Sequence, residues 1–159
     1  MNLNNKELIS TAYKTITQNA KLHNVKLEGV IIALQLKAKR ELMVGAKLDP
    51  VFGPVLIVGD GGKYVEAMPD LQVLMAPSSS EAIEQALQKL RIFPLLKGVR
   101  GEKGLDTKAF VQCALSVGKL ISDPNLGVTQ IDINPVLVGE PGTGCHAVDA
   151  VIYRGQLKV

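Results

Sequence analysis

The chain has 159 residues, 47% of them hydrophobic, with three Phe, three Tyr and no Trp, so one domain spanning residues 1–159 is expected, with a core packed from aliphatic side chains. The net charge of +3 is small and its Lys and Arg residues are scattered rather than set in a stripe with aromatics, which disfavours nucleic acid as a partner. The longest apolar run, Val30–Leu34, is far shorter than the ~20 residues of a membrane span, and the polar N-terminus carries no secretory pattern, so a soluble, cytoplasmic protein without a membrane partner is expected.

In chain order, residues 5 to 22 read as a helix with Leu8, Ile9, Ala12, Ile16 and Ala20 on one stripe, broken by His23-Asn24. Gly29 to Leu36 reads as an apolar strand and Glu41 to Leu48 as a second, joined by the charged turn Lys37-Ala38-Lys39-Arg40. After Asp49-Pro50, Gly53 to Val58 is a third strand, Tyr64 to Ala67 a fourth and Leu71 to Met75 a fifth. Ser78 and Glu81 are spaced as a capping box for a helix that buries Ala82, Ile83, Ala86, Leu87 and Leu90. Phe93 to Lys103 reads as irregular. Asp106 caps a further helix, with Phe110, Cys113, Ala114, Val117 and Ile121 on one face, which Asp123-Pro124 stops. The two cysteines, Cys113 and Cys145, have neither metal-ligand spacing nor a disulfide framework. With a final hairpin, the pattern is α+β: a mixed, mainly antiparallel sheet with packed helices.

The hairpin carries the strongest functional signal. From Val128 to Val138 the chain alternates, Ile131 and Ile133 facing one way and Gln130, Asp132 and Asn134 the other. Asp and Asn are poor strand formers, so two on one face ask for a reason. The turn Gly139–Gly144 leads into a second strand, His146–Tyr153. If Gly139 pairs with Gly144, Asn134 stands directly opposite Asp149, and opposed Cβ atoms lie roughly 4.5–5.5 Å apart. Two carboxylates and an amide oxygen converging there describe a magnesium–nucleotide site. A slip of one residue would send Asp149 to the other face. The plainer reading of the same pattern is a sheet with one face in water.

Other motifs divide in the same way. Gly59-Asp60-Gly61-Gly62 is a turn or an anion-binding nest of backbone N–H groups, and it lacks the Lys-Ser/Thr ending of a P-loop. Arg100, framed by Gly98 and Gly101, is a surface arginine or a fork for phosphate oxygens. Glu41, at the start of its strand, is solvated by pattern alone.

The stretch Gln130-Ile131-Asp132-Ile133-Asn134-Pro135 followed by Val148-Asp149-Ala150, with the block Asp49–Pro54, Gly61-Gly62 and Val65-Glu66, resembles the ATP-grasp module of NDP-forming acyl-CoA synthetases, including their acetyltransferase-fused relatives. The resemblance runs from about Thr11 to Tyr153 and implies the second half, or C-terminal subdomain, of an ATP-grasp fold, the preceding nucleotide-clasping half being absent. It implies Mg²⁺ with ATP or ADP as cofactor, held by Asp132, Asn134 and Asp149. Glu41 is placed on the nucleotide ribose, with Gly61, Gly62 and Arg100 as nucleotide-binding candidates. No residue of the chain is assigned the chemical step. The partners implied are the nucleotide, the remaining ATP-grasp half, and CoA-binding domains of the same enzyme or of a partner subunit. The chain departs from type at Ala33-Leu34, where these modules carry Gln or Glu, at Gln130, where Glu is common, and at Asp60, where an apolar residue is expected. The departures at Ala33-Leu34 and Gln130 suit an alternative, a non-catalytic regulatory or assembly module. The leading expectation is the nucleotide- and Mg-binding portion of a ligase that transfers a phosphoryl group to or from ATP, inactive as an isolated chain.

Overall fold

Alternation along Arg40–Asp49 (β1) decides which side of the sheet is dry. Leu42, Val44 and Ala46 are buried, while Glu41 and Lys47 on the other side are exposed. A computed structural model describes residues 3–36 and 38–155, and the chain divides into two compact units, 1–36 and 37–159. In the larger unit, β1 lies between β2 (Gly53–Asp60) and β4 (Val128–Val138), with β3 (Leu71–Met75) beyond β2. Both β5 (Cys145–Ala147) and β6 (Ala150–Arg154) pair with the far edge of β4, and every pairing is antiparallel.

Helices α2 (Ser80–Gln88) and α4 (Thr107–Ser122) pack on one face of this sheet, with the short α3 (Phe93–Lys97) between them in sequence. Their buried stripes, Ile83, Ala86 and Leu87 in α2 and Phe110, Val111, Ala114, Val117 and Ile121 in α4, recur at helical spacing. They meet Leu56 and Val58 of β2 and Ile131, Ile133, Val136 and Val138 of β4 in one aliphatic core in which Phe110 is the sole aromatic among the fully buried side chains. This is the α+β architecture expected. The helix face carries the apolar burial, about 1.5–3 kcal/mol for each large side chain, so the other face is free to be polar.

Four local expectations change. Ser79, not Ser78, caps α2: its Oγ accepts from the Ala82 N–H at 3.2 Å, whereas the Ser78 hydroxyl donates to the Met75 carbonyl. The Phe93–Lys103 stretch contains one helical turn, α3, entered through Pro94 and ended at Gly98, whose φ of 93° suits glycine. No strand forms at Tyr64–Ala67; backbone N–H groups of Ala67 and Met68 both donate to Tyr64 O, making turns. Gly29–Leu36 forms no strand either, and Lys37, in the turn expected after it, lies outside the described residues. In its own unit that run meets no backbone ladder, and an unpaired strand has nothing to satisfy its N–H and C=O groups but water. The smaller unit consists of α1 (Lys6–Leu22), capped by the Asn5 side chain, and this extended run, which leaves Ile31, Ile32 and Leu34 well exposed.

Two carboxylates tie loops to the core. Asp70, the one buried charged residue among the described residues, accepts from the Arg91 and Ile92 N–H groups at 3.1 and 3.0 Å, holding the entry to α3. Asp106 caps α4 through the Ala109 N–H at 3.2 Å and accepts from the Gly142 and Gly144 N–H groups at 2.9 Å each, which fixes the loop before β5. Chiefly the Gly144 and Ala109 hydrogen bonds hold the Asp106 carboxyl below the usual carboxylate range. A depressed folded-state value means that this stabilisation is present above the unfolded value of about 3.9 and is lost as pH falls through the lower folded value. Urea denaturation across that acid range is expected to show wild-type stability falling more steeply with acidification than that of Asp106→Asn, which has no such carboxylate to titrate.

Candidate functional site

The register of the last strands decides whether the acidic residues share a neighbourhood. Val138 pairs with Cys145, Leu137 with His146 and Val136 with Ala147; beyond a gap, Ile133 pairs with Ala150 and Asp132 with Val151. The Gly139 N–H donates to Gly144 O at 3.3 Å, and the Asn134 N–H to Asp149 O at 3.1 Å. The register is therefore the one that pairs Gly139 with Gly144 and sets Asn134 opposite Asp149. Asp149 sits in the break between β5 and β6, and its side chain is exposed.

On its other side β4 carries a bulge. Leu42 of β1 pairs with Val136 while Val44 pairs with Ile133, so Asn134 and Pro135 together oppose Met43. Pro135 has no N–H to give the ladder, which suits it to this position. The bulge lets Val136 and Val138 return to the core face after Ile131 and Ile133, and it leaves Asp132 exposed and Asn134 half-buried on the open face.

A turn from β2 completes the site. After Asp60 the chain leaves the sheet; the Gly61 N–H donates to Glu41 O at 3.1 Å, and the Gly62 N–H donates to Asn134 Oδ1 at 2.8 Å. Neither position admits a side chain. A Cβ at Gly61 would lie 2.5 Å from the Leu42 carbonyl, and Gly62, with φ of 79°, lies directly against the Glu41 carboxylate. Turns over Gly62–Met68 then bring Val65 and Glu66 back, and Glu41, Gly62, Lys63, Glu66, Asn134 and Pro135 line one polar cavity of about 470 Å³.

The structure thus gathers Glu41, Gly62 and Asn134 around one cavity; Gly61 precedes its wall, and Asp132, two residues along β4, and Asp149, across from Asn134, lie beside it without lining it. Arg100 is not among the residues lining it. It is exposed at φ of 51° in a turn between α3 and α4 closed by the Glu102 N–H on Val99 O. The backbone N–H groups of Gly61 and Gly62 are both engaged within the chain, and the space that their missing side chains leave is taken by the Leu42 carbonyl and the Glu41 carboxylate, so the two glycines shape the turn rather than offer donors. Lys63 and Glu66 are site residues to which sequence reasoning assigned no role. Their signal was the Gly61-Gly62-x-x-Val65-Glu66 spacing, which a turn folds back and a strand would not.

No group of three or more His, Cys, Asp or Glu side chains placed to share a metal ion occurs among the described residues. The donor set at hand is smaller: two exposed carboxylates, Asp132 and Asp149, neither ion-paired among the described residues, and the Asn134 amide oxygen, which keeps a lone pair beyond the one facing Gly62. Magnesium bound with a nucleotide uses one or two carboxylates and takes its remaining oxygens from water and phosphate, so this set fits it. The cysteines stay outside the chemistry. Burial pushes the Cys113 thiol up, and burial together with neighbouring Cys113 pushes Cys145 up to about 11, so neither is a thiolate near neutrality.

Comparison with known proteins gives the family. Residues 1–153 match the ATP-grasp domain family. The chain is 40% identical over 154 residues to the ADP-forming 4-hydroxybutyrate–CoA ligase of Nitrosopumilus maritimus, covering 96% of this chain and 22% of that protein. It is 33% identical over 158 residues to the beta subunit of ADP-forming acetate–CoA ligase II of Pyrococcus furiosus, covering 98% of this chain and 67% of that subunit. Among solved structures, dinucleotide-forming acetyl-coenzyme A synthetase 1 of Ca. Korarchaeum cryptofilum, in complex with coenzyme A and Ca-AMPCP, superposes with a TM-score of 0.80 at 30% identity, over 98% of this chain and 67% of that one. The chain thus spans about a fifth of the first relative and two thirds of the others. No helix among the described residues is long and apolar enough to cross a membrane. The fold and the extent of these matches place the chain in the ATP-grasp family, as the ATP-grasp portion characteristic of ADP-forming acyl-CoA ligases.

Proposed function

We propose that the open face of the sheet holds a magnesium–adenine nucleotide for an ADP-forming acyl-CoA ligase, and that the chain is the C-terminal subdomain of that enzyme's ATP-grasp module. The observation that carries the reading is the meeting of Glu41, Gly62 and Asn134 around one polar cavity, with Asp132 and Asp149 flanking Asn134. Glu41, exposed and rigidly based on the central strand, accepts hydrogen bonds from ribose hydroxyls. Gly62 lines the cavity that receives the phosphates. Asp132, Asn134 and Asp149 would hold Mg²⁺, which when bound would neutralise charge on the phosphate oxygens. Arg100 serves a phosphate or an interface away from this cavity.

The other parts of the ligase, including the clasping half of the module and the CoA-binding domains, come from the same polypeptide or a partner subunit. The exposed apolar run Ile31, Ile32 and Leu34 supports this, since a surface of that kind is normally covered. In the intact enzyme the reaction is phosphoryl transfer coupling nucleotide to acyl-CoA.

Two outcomes are expected. By calorimetry the isolated chain binds Mg-ATP at roughly millimolar Kd or weaker, under ~4 kcal/mol, because each charge-assisted hydrogen bond absent with the other half removes ~1.5–3 kcal/mol. Low-micromolar binding would mean that this subdomain suffices. In the intact ligase, Asp132→Asn and Asp149→Asn are expected to leave thermal stability without metal unchanged or slightly raised, since both sites are exposed and isosteric replacement removes carboxylate charge. Acyl-CoA-dependent ATP formation is expected to fall by orders of magnitude, measured in a coupled assay. Full activity in both variants would remove the metal assignment.

A further inference from the structure

Asp60 stands where an apolar residue is expected, and the structure supplies its partner. The Arg40 guanidinium grips it with Nε on Oδ1 at 3.2 Å and one terminal nitrogen on both carboxylate oxygens at 2.9 Å. Both side chains are under a third exposed, so water screens this fork less than it would a surface pair. Its place in the fold is specific. Arg40 is the first residue of β1 and Asp60 the last of β2, and Asp60 pairs in register with Leu42. The pair therefore clamps the open end of the β1–β2 ladder on the helix side of the sheet.

The next residue on each strand belongs to the candidate site. Glu41 follows Arg40 and, by alternation, turns to the open face. Gly61 follows Asp60 and donates to Glu41 O, and Gly62 reaches Asn134. Strand ends are where a ladder opens most easily. Here an opening would move Glu41 and Gly62 together, because the Glu41 carboxylate rests on Gly62. From this we infer that Arg40 and Asp60 are positioning residues for the nucleotide: the ion pair on the covered face sets the spacing between Glu41 and the Gly61–Gly62 turn on the open one. The inference rests on the reading of that face as the nucleotide site.

The test uses the whole ¹⁵N-labelled chain with MgADP as probe, comparing wild type, Asp60→Asn, Arg40→Gln and the exchanged pair Arg40→Asp/Asp60→Arg. Amide exchange at Gly61 and Gly62 is expected to rise about tenfold in each single variant, while Val44 and Leu56 in the strand interiors hold their rates. The MgADP-induced shift at Gly62 is expected to need about fivefold more ligand in the single variants, and the exchanged pair to recover both properties in large part. Unchanged Gly61 and Gly62 exchange beside an intact wild-type MgADP shift would overturn the inference and leave the nucleotide reading standing. Faster exchange with an unchanged MgADP titration would also overturn it, reducing the pair to a structural clamp. A wild-type chain with no MgADP shift at Gly62 even at nucleotide concentrations well above the millimolar range would remove the nucleotide reading and the inference with it.

Discussion

A single hydrogen bond, from the Gly62 N–H to Asn134 Oδ1 at 2.8 Å, joins two segments that the sheet itself keeps apart. Gly62 follows β2 and Asn134 belongs to β4, and β1 runs between them. To reach Asn134 the turn must cross the end of β1, and in crossing it lays its backbone against Glu41. Both Gly61 and Gly62 are required by that crossing, one by the Leu42 carbonyl beneath it and the other by its positive φ and the carboxylate beside it. The cavity walls follow from the same bond: Glu41 below, the Gly62–Glu66 turn on one side, and Asn134 with Pro135 on the other.

The bond also depends on the bulge. Because Asn134 and Pro135 together oppose Met43, β4 presents Asn134 toward the turn without taking Val136 or Val138 out of the core. The two faces of the sheet are thereby separated in purpose. Leu42, Val44, Ile131 and Ile133 carry the packing against α2 and α4, while Glu41, Asp132 and Asn134 alternate onto the open face. Substitution of exposed residues on such a face usually changes stability by no more than about 0.5 kcal/mol, so chemistry at Glu41 and Asp132 varies with little penalty to the fold.

Much of this was legible from residue order. The period-two pattern of β4 and a symmetric glycine-rich turn after it suggested the register that pairs Gly139 with Gly144, and the structure has it. Gly59-Asp60-Gly61-Gly62 could be read as a turn or as a nest of free N–H groups, and the structure has the turn, with the Gly61 and Gly62 N–H groups both engaged within the chain. What stayed hidden depends on contacts distant in sequence. Tyr64–Ala67 has strand-forming residues, but the Gly62–Asn134 bond has already turned the chain out of the sheet and β3 takes the place beside β2. Gly29–Leu36 is apolar enough for a strand and meets no ladder in its unit. Asp60 looked anomalous because its partner, Arg40, lies twenty residues earlier and becomes adjacent only when β1 and β2 pair.

On the proposed reading, the open face around Asn134 binds a divalent cation together with a nucleotide. Paramagnetic broadening tests it most directly: Mn²⁺ titrated into the ¹⁵N-labelled chain with and without ADP, with amide signals followed by residue. Nucleotide-dependent broadening is expected to begin at Asp132, Asn134, Asp149 and Gly62 and to leave the α2 and α4 core amides sharp. Broadening that ignores ADP, or that centres away from Asn134, would contradict it.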